Sequence, residues 1–249
     1  MKKIITHNGQ FHADEVFACA LLLEHISDEM QIQRTRVIDA LEYTNTETFI
    51  VDVGQVYDTY MINFDHHQDE TLEASNMLVL FYLRDNGYIS DRLCEMYLDK
   101  MREISMIDRN GYNGMTGFQV NSLIKSFNSL PNGFELAIQT ARGYVKALAI
   151  NEQLETESRE AFDAGERIAF ETVVCTKFPL FWKAYEECIF LVAPTQDGNW
   201  AVHTIDSKEY PLIAMGNEKF FHVGRFIAVY STMQEAEQSA RHQCINTFG

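Results

Sequence analysis

Apolar positions along this chain follow two rhythms. Short apolar runs that end on a polar residue recur in the first quarter: KKIIT at 2–6, TFIVDV at 48–53 and YMINF at 60–64. Runs this short, rich in Ile, Val and Phe, predict buried strands. After the first of them Val16, Ala20 and Leu23 recur at i, i+4 and i+7, with Phe17 and Leu21 beside them. That is helical spacing. Strand, helix and strand in this order predict an open α/β sheet, mainly parallel and flanked by helices, whose ligands gather beyond the carboxyl ends of the strands.

Further along, residues 73–107 read as helical with a break near Asn86-Gly87, and 109–118 read as a loop rich in Gly and Asn. Pro131-Asn132-Gly133 is a turn. Residues 134–171 return to helical composition. From about Glu171 the rhythm changes. Val173-Val174, 188–193, 200–205 and 220–229 read as strands, with a hairpin turn at Asp197-Gly198-Asn199 and a last helix over 232–244. These patterns predict two domains: residues 1–170, then a smaller α+β domain at 171–249.

Composition narrows the class. With 249 residues and 46% apolar content the chain can bury a core without disulfides. Five scattered cysteines form no CxxC pair, which fits a reducing compartment and argues against a zinc ribbon. The apolar run at the N-terminus is too short for a signal-peptide core, and no stretch approaches the ~20 apolar residues of a membrane helix. A cytoplasmic protein with no membrane partner is the expectation. A net charge of −16 works against a role in coating nucleic acid. It does not oppose an enzyme acting on one phosphate, because two divalent ions would reverse the local field.

The polar residues that end the apolar runs carry the chemistry. HNGQFHADE at 7–15 supplies His7, His12 and Asp14, and Asp14 and Glu15 suit a helix N-terminus. FIVD supplies Asp52, FDHHQ supplies Asp65, His66 and His67, and SMIDRNG supplies Asp108. Imidazole nitrogen with carboxylate oxygen suits borderline divalent ions such as manganese or zinc. Acids and imidazoles at strand ends are costly unless something pairs them. One carboxylate can bridge two ions about 3.5–4 Å apart, the spacing used for in-line attack on phosphorus.

These motifs resemble the DHH phosphoesterase superfamily and, more closely, its melanocyte-proliferating-gene family of metal-dependent hydrolases. The family's opening THNGxFHxDE is matched by Thr6, His7, Asn8, Gly9, Phe11, His12, Asp14 and Glu15. Arg34-Thr35-Arg36, Val51 to Gly54 and Asp65 to Gln68 match three further steps, and Asp108 matches the late acid. Trp182-Lys183 and the final strand region also look related. The resemblance implies a DHH-like catalytic domain that holds two ions, manganese favoured and magnesium or zinc as alternatives. It implies His7, His12 and Asp52 on one ion, and Asp14, Asp52, His66 and Asp108 on the other, with Asp52 as bridge. His67 would contact the phosphate or protonate the leaving oxygen, and Asp65 would orient a ligand histidine.

For substrate contacts the resemblance points to Arg34, Arg36 and Gln68, and in the second domain to His222 and Arg225. There the family's glycine pair and basic residues look replaced by Ala228, Val229, Tyr230 and Ser231. Arg34 and Arg36 either steer a phosphate backbone or flank a strand, and Arg225 is either a phosphate contact or a surface residue. The implied activity is hydrolysis of phosphodiesters, exonuclease-like, on RNA or short oligonucleotides. A small phosphoester or pyrophosphate is the alternative substrate, and a silent metal-bound interaction protein is the non-enzymatic alternative. A homo-oligomer is left open.

Overall fold

The computed structural model describes residues 2–112, 119–169, 171–177 and 188–248. The chain divides into two compact units, Met1–Ile150 and Asn151–Gly249. The change from helix to strand near residue 170 lies inside the second unit. Trp182-Lys183 and most of the loop expected at 109–118 lie outside the described residues.

The first unit is built on a five-stranded sheet. Its strands are β1 (Lys3–Thr6), β2 (Gln31–Arg34), β3 (Thr48–Val51), β4 (Tyr57–Asp58) and β5 (Asn63–Phe64), in the order β2-β1-β3-β5-β4. β1 pairs in parallel with β2 and β3, and β3 with β5; only β4 runs antiparallel, against β5. All four residues of β3 are buried, which is why TFIV reads as an unbroken apolar run. The run YMINF yields a shorter strand than its pattern promises. Ile62 adopts a left-handed φ of 51°, which breaks the extended backbone, and Tyr60 is exposed.

Helix α1 (Ala13–His25) is buried along its whole length from Ala13 to Leu23. A helix that is apolar all round needs cover on every side. The sheet residues Ile4, Phe49 and Phe64 share one core with it, together with Leu80 and Leu83 of α2 (Ser75–Asp85) and Tyr97 and Met101 of α3 (Asp91–Asn110). The break expected near Asn86-Gly87 falls between α2 and α3. Ser90 caps α3 by accepting the Leu93 N–H at 3.0 Å, and Gly111, at φ 70°, closes it by donating to the Ile107 carbonyl. Ser90→Ala is expected to lower the stability of this unit by about 1 kcal/mol. The check is a lower denaturant midpoint with an unchanged slope. The short helix α4 (Val120–Ser126) and the long α5 (Gly133–Asp163) follow.

The second unit holds a six-stranded mixed sheet: β6 (Glu166–Ala169), β7 (Thr172–Val174), β8 (Phe190–Pro194), β9 (Trp200–Thr204), β10 (Phe220–Phe221) and β11 (Ile227–Tyr230). Helix α6 (Met233–Phe248) covers a core of Val174, Phe190, Val192, Val202 and Tyr230 with Ala236 and Ala240. The run 220–229, one strand by its pattern, is a hairpin. Arg225 sits in its turn with a left-handed φ of 58°.

Candidate metal centre

The carboxyl ends of β1, β3 and β5 lie side by side, and each delivers its next residue to one place. His7 follows β1, Asp52 follows β3, and Asp65-His66 follow β5. Asp14 comes from the first turn of α1 and Asp108 from the last turn of α3. An acid at a helix N-terminus is favoured by the helix dipole; one in a last turn is not. Asp108 stands against local preference, as residues held for function do.

The backbone at Asp52 is unusual. Its φ is 55°, left-handed, a conformation that costs a non-glycine residue unless its surroundings impose it. Gly54, at φ 98°, completes the turn, and a Cβ there would lie 2.8 Å from the Tyr43 hydroxyl. So VDVG encodes a sharp exit that turns the Asp52 carboxylate inward, where it is 4% exposed.

Asp52 faces two ways. Its Oδ2 lies 3.4 Å from His7 Nε2, and its Oδ1 lies 3.3 Å from His66 Nε2. His66 Nε2 is also 3.4 Å from Asp108 Oδ2 and 3.9 Å from Asp14 Oδ2. The ring of His12 is exposed, its centroid 6.0 Å from that of His7. Donor atoms of His7, His12, Glu15 and Asp52 come within one small volume; so do those of Asp52, His66 and His67, and those of His12, Asp14 and Asp108.

Electrostatics show what these groups lack. Both oxygens of Asp14 and Nε2 of His66 are buried without a hydrogen-bond partner. Burial, then the charges of Asp52 and Asp108, push the Asp14 carboxyl well above its ordinary range. Burial and the Asp52 charge raise Asp108 as well. Burial pulls the His7 imidazole down, but bonds to Asp52 and Glu15 outweigh it and lift it to about 10. Burial would raise Asp52, yet the His66 and His7 imidazoles hold it well below the usual carboxylate range. A buried cluster that raises some acids and over-stabilises its imidazolium is short of positive charge. Orphaned carboxylate oxygens and an imidazole nitrogen are donors that fit a divalent cation.

His67 is placed differently. Its side chain is 55% exposed, and Nδ1 bonds Asp65 Oδ1 at 2.7 Å. That bond is the main cause that raises its pKa to about 8. Asp65, 1% exposed, also accepts backbone N–H bonds from Gln55 and His67.

The other expected contacts are mostly occupied. The Arg34 guanidinium donates to the carbonyls of His7 and Gly9 and lies 4.2 Å from the Phe134 ring centroid. It clamps the 7–12 loop. Arg36 is exposed, with Nη2 3.3 Å from His7 Nδ1. The Gln68 amide donates to the Asp65 carbonyl. In the second unit His222 Nδ1 accepts the Gly224 N–H, and its ring lies 4.1 Å from that of Phe226. Arg225 Nε donates to the Leu212 carbonyl at 2.8 Å.

Three further residues support the centre, and Ser75 and Asn128 lie outside the motifs. Glu15, fully buried, receives His7 Nε2 at 2.8 Å and the His12 N–H, so it is more than a dipole partner. Ser75 Oγ lies 3.0 Å from Asp52 Oδ1. Asn128 pairs both ways with the Phe11 backbone across 117 positions and pins the first loop. Of these, Glu15 left a sequence signal, as an acid of the opening motif at the helix start.

A parallel α/β sheet that gathers His, Asp and Glu donors at its carboxyl edge defines a candidate metal-binding α/β protein. The chain is similar to the MYG1 family: residues 3–80 match the profile described as an uncharacterised protein family (UPF0160), and relatives extend the match. The MYG1 protein of Chlamydia trachomatis is 33% identical over 197 residues, which is 73% of this chain and 65% of that protein. The human MYG1 exonuclease is 42% identical over 78 residues, 30% of this chain and 20% of its own length. The chain therefore covers less than two thirds of these relatives. Among solved structures, a Vibrio pGpG-specific phosphodiesterase aligns over 99% of both chains, with 12% identity and a TM-score of 0.36.

Proposed function

We propose that this protein is a two-metal phosphoesterase that hydrolyses phosphodiester bonds, exonuclease-like, at the end of RNA or a short oligonucleotide. One observation carries the reading: Asp52 turns one oxygen toward His7 and the other toward His66, with the orphaned Asp14 carboxylate beside His66. The exonuclease names of the human and bovine relatives support it.

His7, His12 and Asp52 would hold one ion, and Asp14, Asp52, His66 and Asp108 the other, manganese favoured. When bound, such a pair supplies a water acidified toward neutral pH and neutralises charge on the phosphoryl oxygens. The chain's own residues do the rest. Glu15 and Ser75 fix His7 and Asp52 from behind. Asp65 takes Nδ1 of His67, which leaves Nε2 to reach the substrate. Held through Nδ1 by Asp65, His67 is the group placed to give a proton to the leaving oxygen. His67→Ala is expected to keep both ions and lose about 10²-fold in kcat, checked by metal analysis beside steady-state rates.

The cleft at this centre has a volume of about 860 Å³. That is nucleotide-sized and far larger than pyrophosphate needs, which favours the oligonucleotide over the small-phosphoester alternative. The deciding experiment is metal analysis with an assay on a labelled RNA oligonucleotide, a dinucleotide and pyrophosphate. Preference for pyrophosphate overturns the substrate. No turnover of any phosphoester with manganese present leaves a silent metal-bound protein.

A further inference from the structure

The cleft is not lined by metal-centre residues alone. Asn121 and Lys125 also line it. They are four positions apart on α4 and so share one helix face. Asn121 is 7% exposed, and its Nδ2 donates to the Ile104 carbonyl at 3.3 Å. That bond fixes the amide, because turning it over would set oxygen against oxygen. The free end is therefore Oδ1, which is buried and has no hydrogen-bond partner. An unmet buried acceptor costs about 1–3 kcal/mol, a cost that a donor on a bound ligand removes.

Lys125 is exposed, and among the described residues no carboxylate lies within ion-pair distance of it. Acids outnumber Lys and Arg 36 to 20 in this chain, so an unclaimed ammonium on a cleft wall stands out. Arg109, the other Lys or Arg lining the cleft, is taken by Glu73 and the Glu70 carbonyl. A lone cation facing an open cleft is where an anionic group settles.

We propose that Asn121 and Lys125 are substrate-positioning residues: Asn121 Oδ1 accepts a hydroxyl or amino donor of the nucleoside beside the scissile bond, and Lys125 binds a second, non-reacting phosphate. The inference rests on the phosphodiesterase reading and narrows its substrate to a nucleotide diester that carries an additional phosphate.

The test compares wild type, Asn121→Leu, Lys125→Met and Lys125→Arg with manganese on three diesters. Bis(p-nitrophenyl) phosphate has one phosphate and no donor; a dinucleotide adds donors; a 5′-phosphorylated dinucleotide adds the second phosphate. Lys125→Met is expected to raise KM about tenfold on the 5′-phosphorylated dinucleotide alone, and Lys125→Arg to restore it. Asn121→Leu is expected to lose about tenfold in kcat/KM on both dinucleotides and to match wild type on the chromogenic ester. Calorimetry with an uncleavable 5′-phosphorylated dinucleotide, its linkage a methylphosphonate, reads the Lys125 contact without turnover. Thermal melts establish that each variant is folded; Lys125 is a surface position, so its variants carry the test if Asn121→Leu does not fold. If Lys125→Met treats both dinucleotides alike and binds the uncleavable one as wild type does, the Lys125 assignment is wrong. If folded Asn121→Leu matches wild type on all three, the Asn121 assignment is wrong. If wild type cleaves none of them, the phosphodiesterase reading fails, while the calorimetric result still decides Lys125.

Discussion

Asp52→Asn is expected to lower turnover on a phosphodiester by about 10⁴-fold or more, because it removes the charge that would bridge the two proposed ions. Asn is the sharper replacement than Ala. Asp52 has a left-handed backbone, and Asn tolerates that conformation where other side chains pay for it. Asn also keeps an oxygen for Ser75 Oγ, now 3.0 Å from Asp52 Oδ1. What it removes is the negative charge shared by His7 and His66. The measurement is metal equivalents per chain beside the rate. An Asp52→Asn variant that binds two manganese ions with wild-type affinity would show that no bridge runs through this residue.

The second large effect reverses sign with metal. Metal-free Asp14→Ala is expected to be more stable than metal-free wild type by about 2 kcal/mol. The variant drops a buried carboxyl with two unmet oxygens, a gain that exceeds the dipole stabilisation it gives up in the first turn. For a unit of this size that is a rise in Tm of roughly 5 °C. With metal the order inverts. At 100 times its Kd an ion adds about 2.7 kcal/mol to wild type, and the variant lacks a ligand to gain it. Melting both proteins with and without manganese gives the four values; parallel shifts would remove Asp14 from the centre.

The same imbalance sets a pH dependence in the metal-free protein. His7 has an unfolded value near 6.5 and a folded value of about 10. Its stabilisation is complete below pH 6.5 and is lost as pH rises toward 10. Asp14 is raised on folding too, so its penalty grows as pH rises above the unfolded value near 3.8. Asp52 and Asp65 are lowered, and their stabilisation is lost only in acid, below about pH 4. Metal-free protein is therefore expected to lose about 2 kcal/mol or more between pH 6.5 and 9. Denaturation at the two pH values measures it, and equal stability at both would contradict the buried His7 imidazolium.

Local pattern revealed most of the elements and misjudged some ends. β1 and β3 are legible because both faces of a central parallel strand are buried, so KIIT and TFIV have no polar phase to confuse them. YMINF fails as a full strand because Ile62 takes a left-handed turn, and a side-chain pattern does not encode a φ. The run 220–229 hides its turn for the same reason, at Arg225.

The candidate ligands were legible because charge and imidazole at the end of an apolar run conflict with burial, and that conflict is written in the sequence alone. His7, Asp52, Asp65 and His66 each follow a strand and needed no contact to be noticed. Their partners were not legible in this way. Glu15 looked like a dipole acid, and Ser75 and Asn121 carried no signal. Nor were the partners of Arg34 legible, the carbonyls of His7 and Gly9 with the Phe134 ring. The sequence determined which residues are costly to bury. The tertiary structure decided which groups meet that cost, because a hydrogen bond or an unclaimed charge depends on atoms brought together from distant parts of the chain, as when Asn128 reaches Phe11.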